Sequence, residues 1–299
     1  MAGRFAVVAH GGAGSTSAFA DGPKVACQAA LEMLRDGADA LEAAVAAAVV
    51  LEDDDRFNAG TGSNLRLDGT TIEMDAAVMT SDARFGGVAC IRNVKNPILV
   101  AREVMKTPHI LLCGEGAAAF ARERGFAEYD PTSERAREKY RLARAKLNAK
   151  LFESEHPEWR RFDLDAGHHM PGPQRSGETS DTIGAVVRDA NGHYAVANST
   201  GGVPFMLVGR VGDSPILGAG LYAGRNGAVA ATGEGEEITR KLLCKQVYDW
   251  IGAGMPVAEA CRRGIDLFPN QISVGLIAAT PEAVCGISNR DMAWASAEE

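Results

Sequence analysis

One stretch constrains the fold of this 299-residue chain more than any other: residues 177–202, GETSDTIGAVVRDANGHYAVANSTGG. Ile183–Arg188 is apolar and partly β-branched, Asp189-Ala190-Asn191-Gly192 is turn chemistry, and residues 193–199 make a second strand, so the segment predicts an antiparallel β-hairpin. If Arg188 faces His193, the register sets Thr182 opposite Ser199 and beside Thr200. Threonines then open and close one hairpin. Upstream, residues 153–181 are polar, carry His156, His168, His169, Pro171 and Pro173, and show no period of two or 3.6, which reads as a loose surface connection. A loose segment entering a buried strand that begins with threonine is what a self-cleaving precursor needs. Scission between Asp181 and Thr182 would free an α-amine on the residue that carries the hydroxyl. An α-amine of pKa ~8 can take that proton at neutral pH. The competing reading is a surface hairpin with ordinary strand threonines. On these residues alone it is the favoured one, because threonine is common in strands.

The remainder surrounds the hairpin with helices and further strands. Residues 4–9 predict a strand ending in His10-Gly11-Gly12-Ala13-Gly14-Ser15, whose glycines suit a tight strand-to-helix turn; the run is not G-x-G-x-x-G and no lysine follows it as in a phosphate-binding loop. Helices follow over 23–36, with Pro23 near its start and Gly37 as its stop, and over 38–53, where Leu41, Ala44, Val45, Ala48 and Val49 form one face. Strands are predicted over 70–80, 86–92 and 110–113, and helices over 97–107, 117–124 and 133–152, the last strongly charged and exposed. Beyond the hairpin come strands 216–222 and 228–231, helices 236–251 and 256–268, strands 273–280 and 283–287, and a short tail. Strands in hairpins and helices in blocks favour a layered α/β (α+β) sandwich over a Rossmann alternation. No repeat or low-complexity linker divides domains.

Three loops carry candidate chemistry. Residues 51–62, LEDDDRFNAGTG, are acidic and turn into glycine. That density of carboxylates suits a cation, but the D-x-[DN]-x-[DN]-G calcium pattern is absent, and a solvated helix end competes. In residues 209–215, GRVGDSP, one Arg and one Asp match the two charged groups of a free amino acid; a self-contained Arg210–Asp213 surface pair is the plainer reading. Thr232-Gly233-Glu234-Gly235-Glu236 stands between a strand and a helix, where backbone N–H groups make an oxyanion site or simply a turn. A net charge of −8 argues against a nucleic-acid surface. The six scattered cysteines without C-x-x-C read as reduced core residues rather than zinc ligands or disulfides. With no signal-peptide core and no apolar run of membrane length, the expected location is the cytoplasm.

Six blocks stand in order: H-G-G-A-G-S at 10–15, L-E-x-x-x-x-F-N-A-G-x-G at 51–62, D-T-I-G-A-V at 181–186, S-T-G-G at 199–202, G-R-V-G-D-S-P at 209–215 and T-G-E-G-E at 232–236. Together they resemble the plant-type asparaginase and isoaspartyl peptidase family of N-terminal-nucleophile hydrolases, over nearly the whole chain. The resemblance implies a four-layer αββα sandwich, one domain over 1–299, cut before Thr182 into a 1–181 α-subunit and a 182–299 β-subunit, with 153–181 as a mobile linker. By resemblance Thr182 is the nucleophile and, through its new amine, its own base, and Thr200 orients and helps activate that hydroxyl. Thr232 and the Gly233 N–H would hold the oxyanion. Arg210 would bind the substrate α-carboxylate, Asp213 with the Gly235 region its α-amine, and Asn58 would sit near the scissile bond. No catalytic cofactor is implied. A structural sodium ion is, held by backbone carbonyls of Leu51, Glu52, Asp54, Phe57, Ala59 and Thr61, so the Asp side chains need not be its ligands.

The implied substrates are small β-aspartyl amides, namely isoaspartyl dipeptides and L-asparagine, with no nucleic-acid or membrane partner and a homodimer of cleaved αβ units. Two departures stand out. Residues 203–208, VPFMLV, are apolar where many relatives are polar, which bears on the leaving-group side, and the ending after Cys285 matches only loosely. The alternatives are a glycosylasparaginase-like amidase, whose family usually has Asn where Gly201 or Gly202 stands, and an uncleaved amino-acid-binding homologue.

Overall fold

The structure, a computed structural model, describes residues 4–148, 182–204 and 206–299. Asp181 and the predicted 153–181 linker lie outside the described residues.

In chain order the elements are β1 (Ala6–Ala13), α1 (Asp21–Arg35), α2 (Ala40–Glu52), β2 (Met74–Thr80), β3 (Phe85–Ile91), α3 (Pro97–Val104), β4 (Leu111–Cys113), α4 (Gly114–Glu123) and α5 (Glu134–Asn148). After them come β5 (Ile183–Arg188), β6 (Tyr194–Thr200), β7 (Leu221–Gly224), β8 (Gly227–Gly233), α6 (Gly235–Lys241), α7 (Leu243–Gly252), α8 (Val257–Ile265), β9 (Val274–Ala279), β10 (Val284–Ser288) and β11 (Met292–Glu298). The strands form a seven-stranded sheet, β11-β1-β5-β6-β2-β3-β4, and a four-stranded sheet, β10-β9-β8-β7. Pairing is antiparallel except between β3 and β4.

The period-two alternation of the central strands divides them between two cores. Val7, Ala9, Ile183, Ala185, Val187, Ala195 and Ala197 face α1, α2 and α3. Their neighbours Val8, Val186, Tyr194 and Val196 turn the other way, onto Leu221, Ala223, Ala228, Ala230 and Ile277 of the smaller sheet. That sheet's far face, with Val229, Ala231, Leu276 and Ala278, packs on residues of α6, α7 and α8. Small side chains on α2, such as Ala43, Ala44, Ala47 and Ala48, let the helix lie close on β5 and β6. Each Val or Leu buried this way contributes ~1.5–3 kcal/mol. Four of the six cysteines are buried and none is bonded to another, while Cys113 is exposed. Among the described residues no helix is long and apolar enough to cross a membrane.

Because β5 is apolar on both faces, its hydrophobic pattern alone leaves the register open. The turn sets it. Asp189 Oδ1 accepts the N–H groups of Asn191 (2.8 Å) and His193 (3.0 Å), and the Asp189 N–H donates to the His193 carbonyl. His193 is thereby part of the turn, and Arg188 pairs with Tyr194 rather than His193. The expected register is corrected by one residue: Ile183, not Thr182, faces Ser199, and Thr182 comes level with Thr200.

Three further expectations are revised. The helix foreseen over 236–251 is two, broken at Leu242, which has φ +47°. Carbonyls of Gly218 and Ala219 capture the N–H groups of Lys245 and Cys244 and start α7 afresh. Residues 216–220 form a turn closed by the Gly220 N–H on the Asp213 carbonyl, so β7 starts only at Leu221. The short tail is an edge strand, β11, paired with β1 from Ala6–Glu298 to His10–Trp294.

Candidate active site

Thr182 immediately precedes β5, and Thr200 ends β6 beside it. The Thr182 hydroxyl donates to Thr200 Oγ1 at 3.3 Å, and both residues are buried. Thr200 Oγ1 also accepts the Gly202 N–H at 3.0 Å, which fixes that oxygen. Beside the pair, on β1 and β6, lie neutral polar groups. His10 of β1 stands in register with Gly184, and Gly184 with Asn198. A Cβ on Gly184 would fall 2.5 Å from His10 Nε2 and 2.9 Å from Asn198 Oδ1, so only glycine lets both side chains approach. Burial pushes the His10 imidazole down to about 3, and the Thr182 backbone beside it only partly offsets this. Glu52 at the end of α2 accepts the Ser199 hydroxyl at 2.6 Å and the Ile98 N–H at 3.0 Å, and burial pushes its carboxyl up to about 8.

Thr232 comes from β8 of the smaller sheet. Its Oγ1 accepts the Ala13 N–H at 3.1 Å, leaving its own proton to donate elsewhere. Asn198 Nδ2 donates to the carbonyls of Gly220 (3.0 Å) and Ala231 (3.2 Å). The residue before Thr232 is thus tied to the strand that carries Thr200. Gly233 has φ +135°, and a Cβ there would lie 2.1 Å from the Ser273 carbonyl oxygen, so no other residue fits.

Arg210, Asp213 and Gly235 converge. A Cβ on Gly235 would lie 2.8 Å from Asp213 Oδ1 and 2.9 Å from Arg210 Nη2. A carboxylate and a guanidinium therefore face the same bare Cα. Asp213 is buried, its Oδ2 has no partner, and burial pushes its carboxyl up to about 7 with Arg210 only partly offsetting this. The self-contained Arg210–Asp213 pair is absent. Arg210 instead donates through Nε (2.7 Å) and Nη2 (2.6 Å) to the two carboxylate oxygens of Glu236 at the start of α6. Glu236 joins the site only through the fold, which brings residues 210 and 236 together; its place in the T-G-E-G-E block is the one signal of it in the chain.

Asn58 lies against the segment that follows Thr200. Its carbonyl accepts the Gly201 N–H at 2.8 Å, its Oδ1 accepts the Asn64 N–H at 2.9 Å, and its Nδ2 donates to the Gly202 carbonyl. A cavity of about 330 Å³ opens beside Asn58, bordered by Ser15, Thr16, Arg56 and Arg135. The apolar 203–208 segment buries Met206 against Gly202 and exposes Val208; Phe205 lies outside the described residues.

The acidic side chains of the 51–62 loop are paired or turned inward rather than gathered into a carboxylate cage. Asp53 bonds Lys95 and Asn96, Asp54 bonds Arg56, and the Glu52 side chain points inward to Ser199. Among the described residues no group of His, Cys, Asp and Glu side chains is arranged to hold a metal. Gly60 (φ +52°) and Gly62 (φ +102°) each pass close to the loop backbone: a Cβ on Gly60 would lie 2.5 Å from the Glu52 carbonyl oxygen, and one on Gly62 would lie 2.8 Å from that of Phe57. Of the other predicted ligands, Leu51 and Ala59 are buried, and the Asp54 carbonyl already accepts the Phe57 N–H at 3.1 Å. The Thr61 N–H bonds the Glu52 carbonyl at 2.9 Å, closing the loop.

Comparison with known proteins covers the full length of this architecture. The model of the family described as Asparaginase matches residues 3–299. A plant-type L-asparaginase of Pyrococcus abyssi (strain GE5 / Orsay) is 43% identical over 270 residues, which is 88% of this chain and 84% of that protein. An isoaspartyl peptidase/L-asparaginase of Mus musculus is 36% identical over 303 residues, 97% of this chain and 87% of the other, and one of Homo sapiens is 37% identical over 276 residues, 89% and 82%.

Proposed function

The chain belongs to the asparaginase family of amide hydrolases, and on that premise we propose that it is an autoprocessed threonine amidohydrolase acting on isoaspartyl dipeptides and L-asparagine. The fold we assign is the four-layer αββα sandwich of N-terminal-nucleophile hydrolases, one domain cut before Thr182 and paired as a homodimer of αβ units in the cytoplasm. The observation that carries the reading is the cradle at Gly235, where the Arg210 guanidinium and Asp213 Oδ1 stand side by side, with the other oxygen of that carboxyl, Oδ2, unpartnered. A free α-amino acid head group has the complementary pair of charges.

The reaction follows from the residues around that cradle. Arg210 takes the α-carboxylate, giving up the Nη2 bond of its Glu236 pair to do so, and Asp213, with Gly235, takes the α-ammonium, which sets the substrate's β-carbonyl against Thr182. The α-amine of Thr182 accepts the proton of its own Oγ1 as that oxygen attacks, with Thr200 Oγ1 beside it at 3.3 Å keeping the nucleophile in line. The carbonyl oxygen becomes an oxyanion. Thr232 Oγ1, already accepting from Ala13, donates its proton toward it, and the Gly233 N–H supports it. The ammonium on Thr182 passes its proton to the leaving nitrogen, the C–N bond breaks, and ammonia or an amino acid departs. Water then attacks the β-aspartyl ester with the amine again as base, releasing aspartate and returning the proton to Oγ1. A sodium ion on the carbonyls of the 51–62 loop would brace Asn58 and, through Glu52 and Ser199, strand β6; no step of the chemistry uses it.

The glycosylasparaginase reading has less support. A Cβ on Gly201 would fall 2.4 Å from Ser63 Cβ, and one on Gly202 would fall 1.9 Å from Met206 Cε, so neither position has room for an asparagine side chain. The test is direct. The purified protein should show two chains with a new N-terminus at Thr182 and should hydrolyse β-aspartyl dipeptides and asparagine faster than a glycan-linked asparagine. A single unbroken chain that binds aspartate without turnover would replace this reading with the amino-acid-binding homologue.

A further inference from the structure

Beneath the Arg210 loop lies a buried charge network that the reaction does not use. Arg66, fully buried, donates through Nε to Glu73 Oε2 (3.2 Å) and through Nη2 to the Glu73 carbonyl (3.0 Å). Arg92 bonds the other carboxylate oxygen, Oε1. Glu73 Oε2 also accepts the Gly209 N–H at 2.7 Å. Asp75, inside β2 and opposite Thr200, accepts the Cys90 N–H through Oδ1 (2.8 Å) and the Gly212 N–H through Oδ2 (3.2 Å). The two carboxylates thus take hold of the loop backbone on both sides of Arg210, at residues 209 and 212. Burying two carboxylates and a guanidinium is costly, and apolar residues of similar volume would serve stability as well or better. What apolar residues cannot do is grip peptide N–H groups by charge-assisted bonds.

We propose that Glu73 and Asp75 are positioning residues for substrate recognition, fixing the backbone at Gly209 and Gly212 so that Arg210 and Asp213 stand at the spacing of an amino acid's carboxylate and ammonium. The proposal rests on the functional reading above. Arg66 completes the frame: it neutralises Glu73, and its Nη1 reaches toward the Gly201 carbonyl at 3.5 Å, next to Thr200. Recognition loop and catalytic strand are therefore keyed to one buried ion network.

The test uses Glu73→Gln and Asp75→Asn in the full chain. Each near-isosteric variant leaves an amide N–H₂ where a peptide N–H or a guanidinium needs an acceptor. KM for L-asparagine should rise about tenfold or more, the effect of losing one charge-assisted hydrogen bond, with kcat within about threefold and the cut before Thr182 retained. Hydrogen exchange of the amides at residues 209–213 should quicken without substrate. Asp75→Asn combined with Arg210→Ala should add little to the KM of Arg210→Ala alone, because both act through one contact. An unchanged exchange rate, a KM effect that adds fully to that of Arg210→Ala, or a loss of melting temperature with KM unmoved would overturn the proposal. So would failure of both variants to fold, since the carboxylates would then be holding the core rather than the loop. If the wild type neither binds nor hydrolyses asparagine while loop exchange still quickens in the variants, the functional reading fails and the clamp stands.

Discussion

The two ends of the site follow opposite electrostatic plans. Beside Thr182, on β1 and β6, the buried polar groups are uncharged: hydroxyls, an imidazole held neutral by burial, and a carboxyl that keeps its proton to about 8; Asp75, opposite Thr200 on β2, is the exception and belongs to the ion network under the Arg210 loop. Around Arg210 the guanidinium is paired with the Glu236 carboxylate, and Asp213, whose carboxyl burial pushes up to about 7, has one acceptor, Oδ2, unsatisfied. The first arrangement suits an amine that must be neutral to act as a base, because nearby anions would hold the proton on it and a low dielectric favours the uncharged form. The second suits recognition, because an incomplete set of buried charges is completed by a ligand with the complementary ones. On the proposed assignment of roles, chemistry and recognition differ in kind as well as in place.

The sharpest break of this comparison lies at the neutral end. Thr182→Ala should abolish both chain cleavage and hydrolysis, read as a single intact chain by mass spectrometry and no release of ammonia from asparagine. Next, Thr232→Val should lower kcat by ~10²–10³ with KM little changed, while Thr232→Ser should restore most of the rate. At the charged end the pattern should invert: Asp213→Asn should raise KM for asparagine by about ten- to a hundredfold with cleavage before Thr182 intact. Asp213 should also give KM a pH dependence of definite sign. Its free carboxyl is protonated below about 7, and the substrate ammonium needs it ionised, so KM should fall as pH rises through about 7, and Asp213→Asn should flatten that limb. The smallest effect concerns stability. Glu52 has an ordinary value of 4.5 and a native one of about 8, so the unfolded chain releases its proton first. Stability should therefore fall as pH climbs from about 4.5 to about 8, and Glu52→Gln should lessen that fall in a melting-temperature series.

Much of this contrast is readable from residue order, but unevenly. The hairpin, the small-residue helix α2 and the glycine-framed loops at 209–215 and 232–236 declare themselves locally, through periodicity and turn chemistry. The pairing of Thr182 with Thr200 was missed by one position, because an Asx-type turn at Asp189 drew His193 into the loop. The edge strand β11 was missed because Met-Ala-Trp-Ala-Ser-Ala-Glu has little apolar contrast and is held chiefly by backbone bonds to β1. The contacts of Glu236 and His10, and the grip of Glu73 and Asp75 on the Arg210 loop, cannot be read from residue order for another reason. Their partners lie far off in the chain, and no spacing rule connects residue 73 to 209 or residue 10 to 184.

The strand order has a consequence for a chain cut ahead of Thr182. In the larger sheet β11, β5 and β6 come from the later portion, β1, β2, β3 and β4 from the earlier one, and they alternate as β11-β1-β5-β6-β2. The two pieces are laced like the fingers of clasped hands: β1 has a neighbour from the other piece on each side, and β6 is bonded to β2. Pulling them apart would mean unzipping three hydrogen-bonded seams at once, so a severed backbone link costs the folded assembly little, whereas two pieces once unfolded would have to meet again by diffusion to rebuild a single sheet.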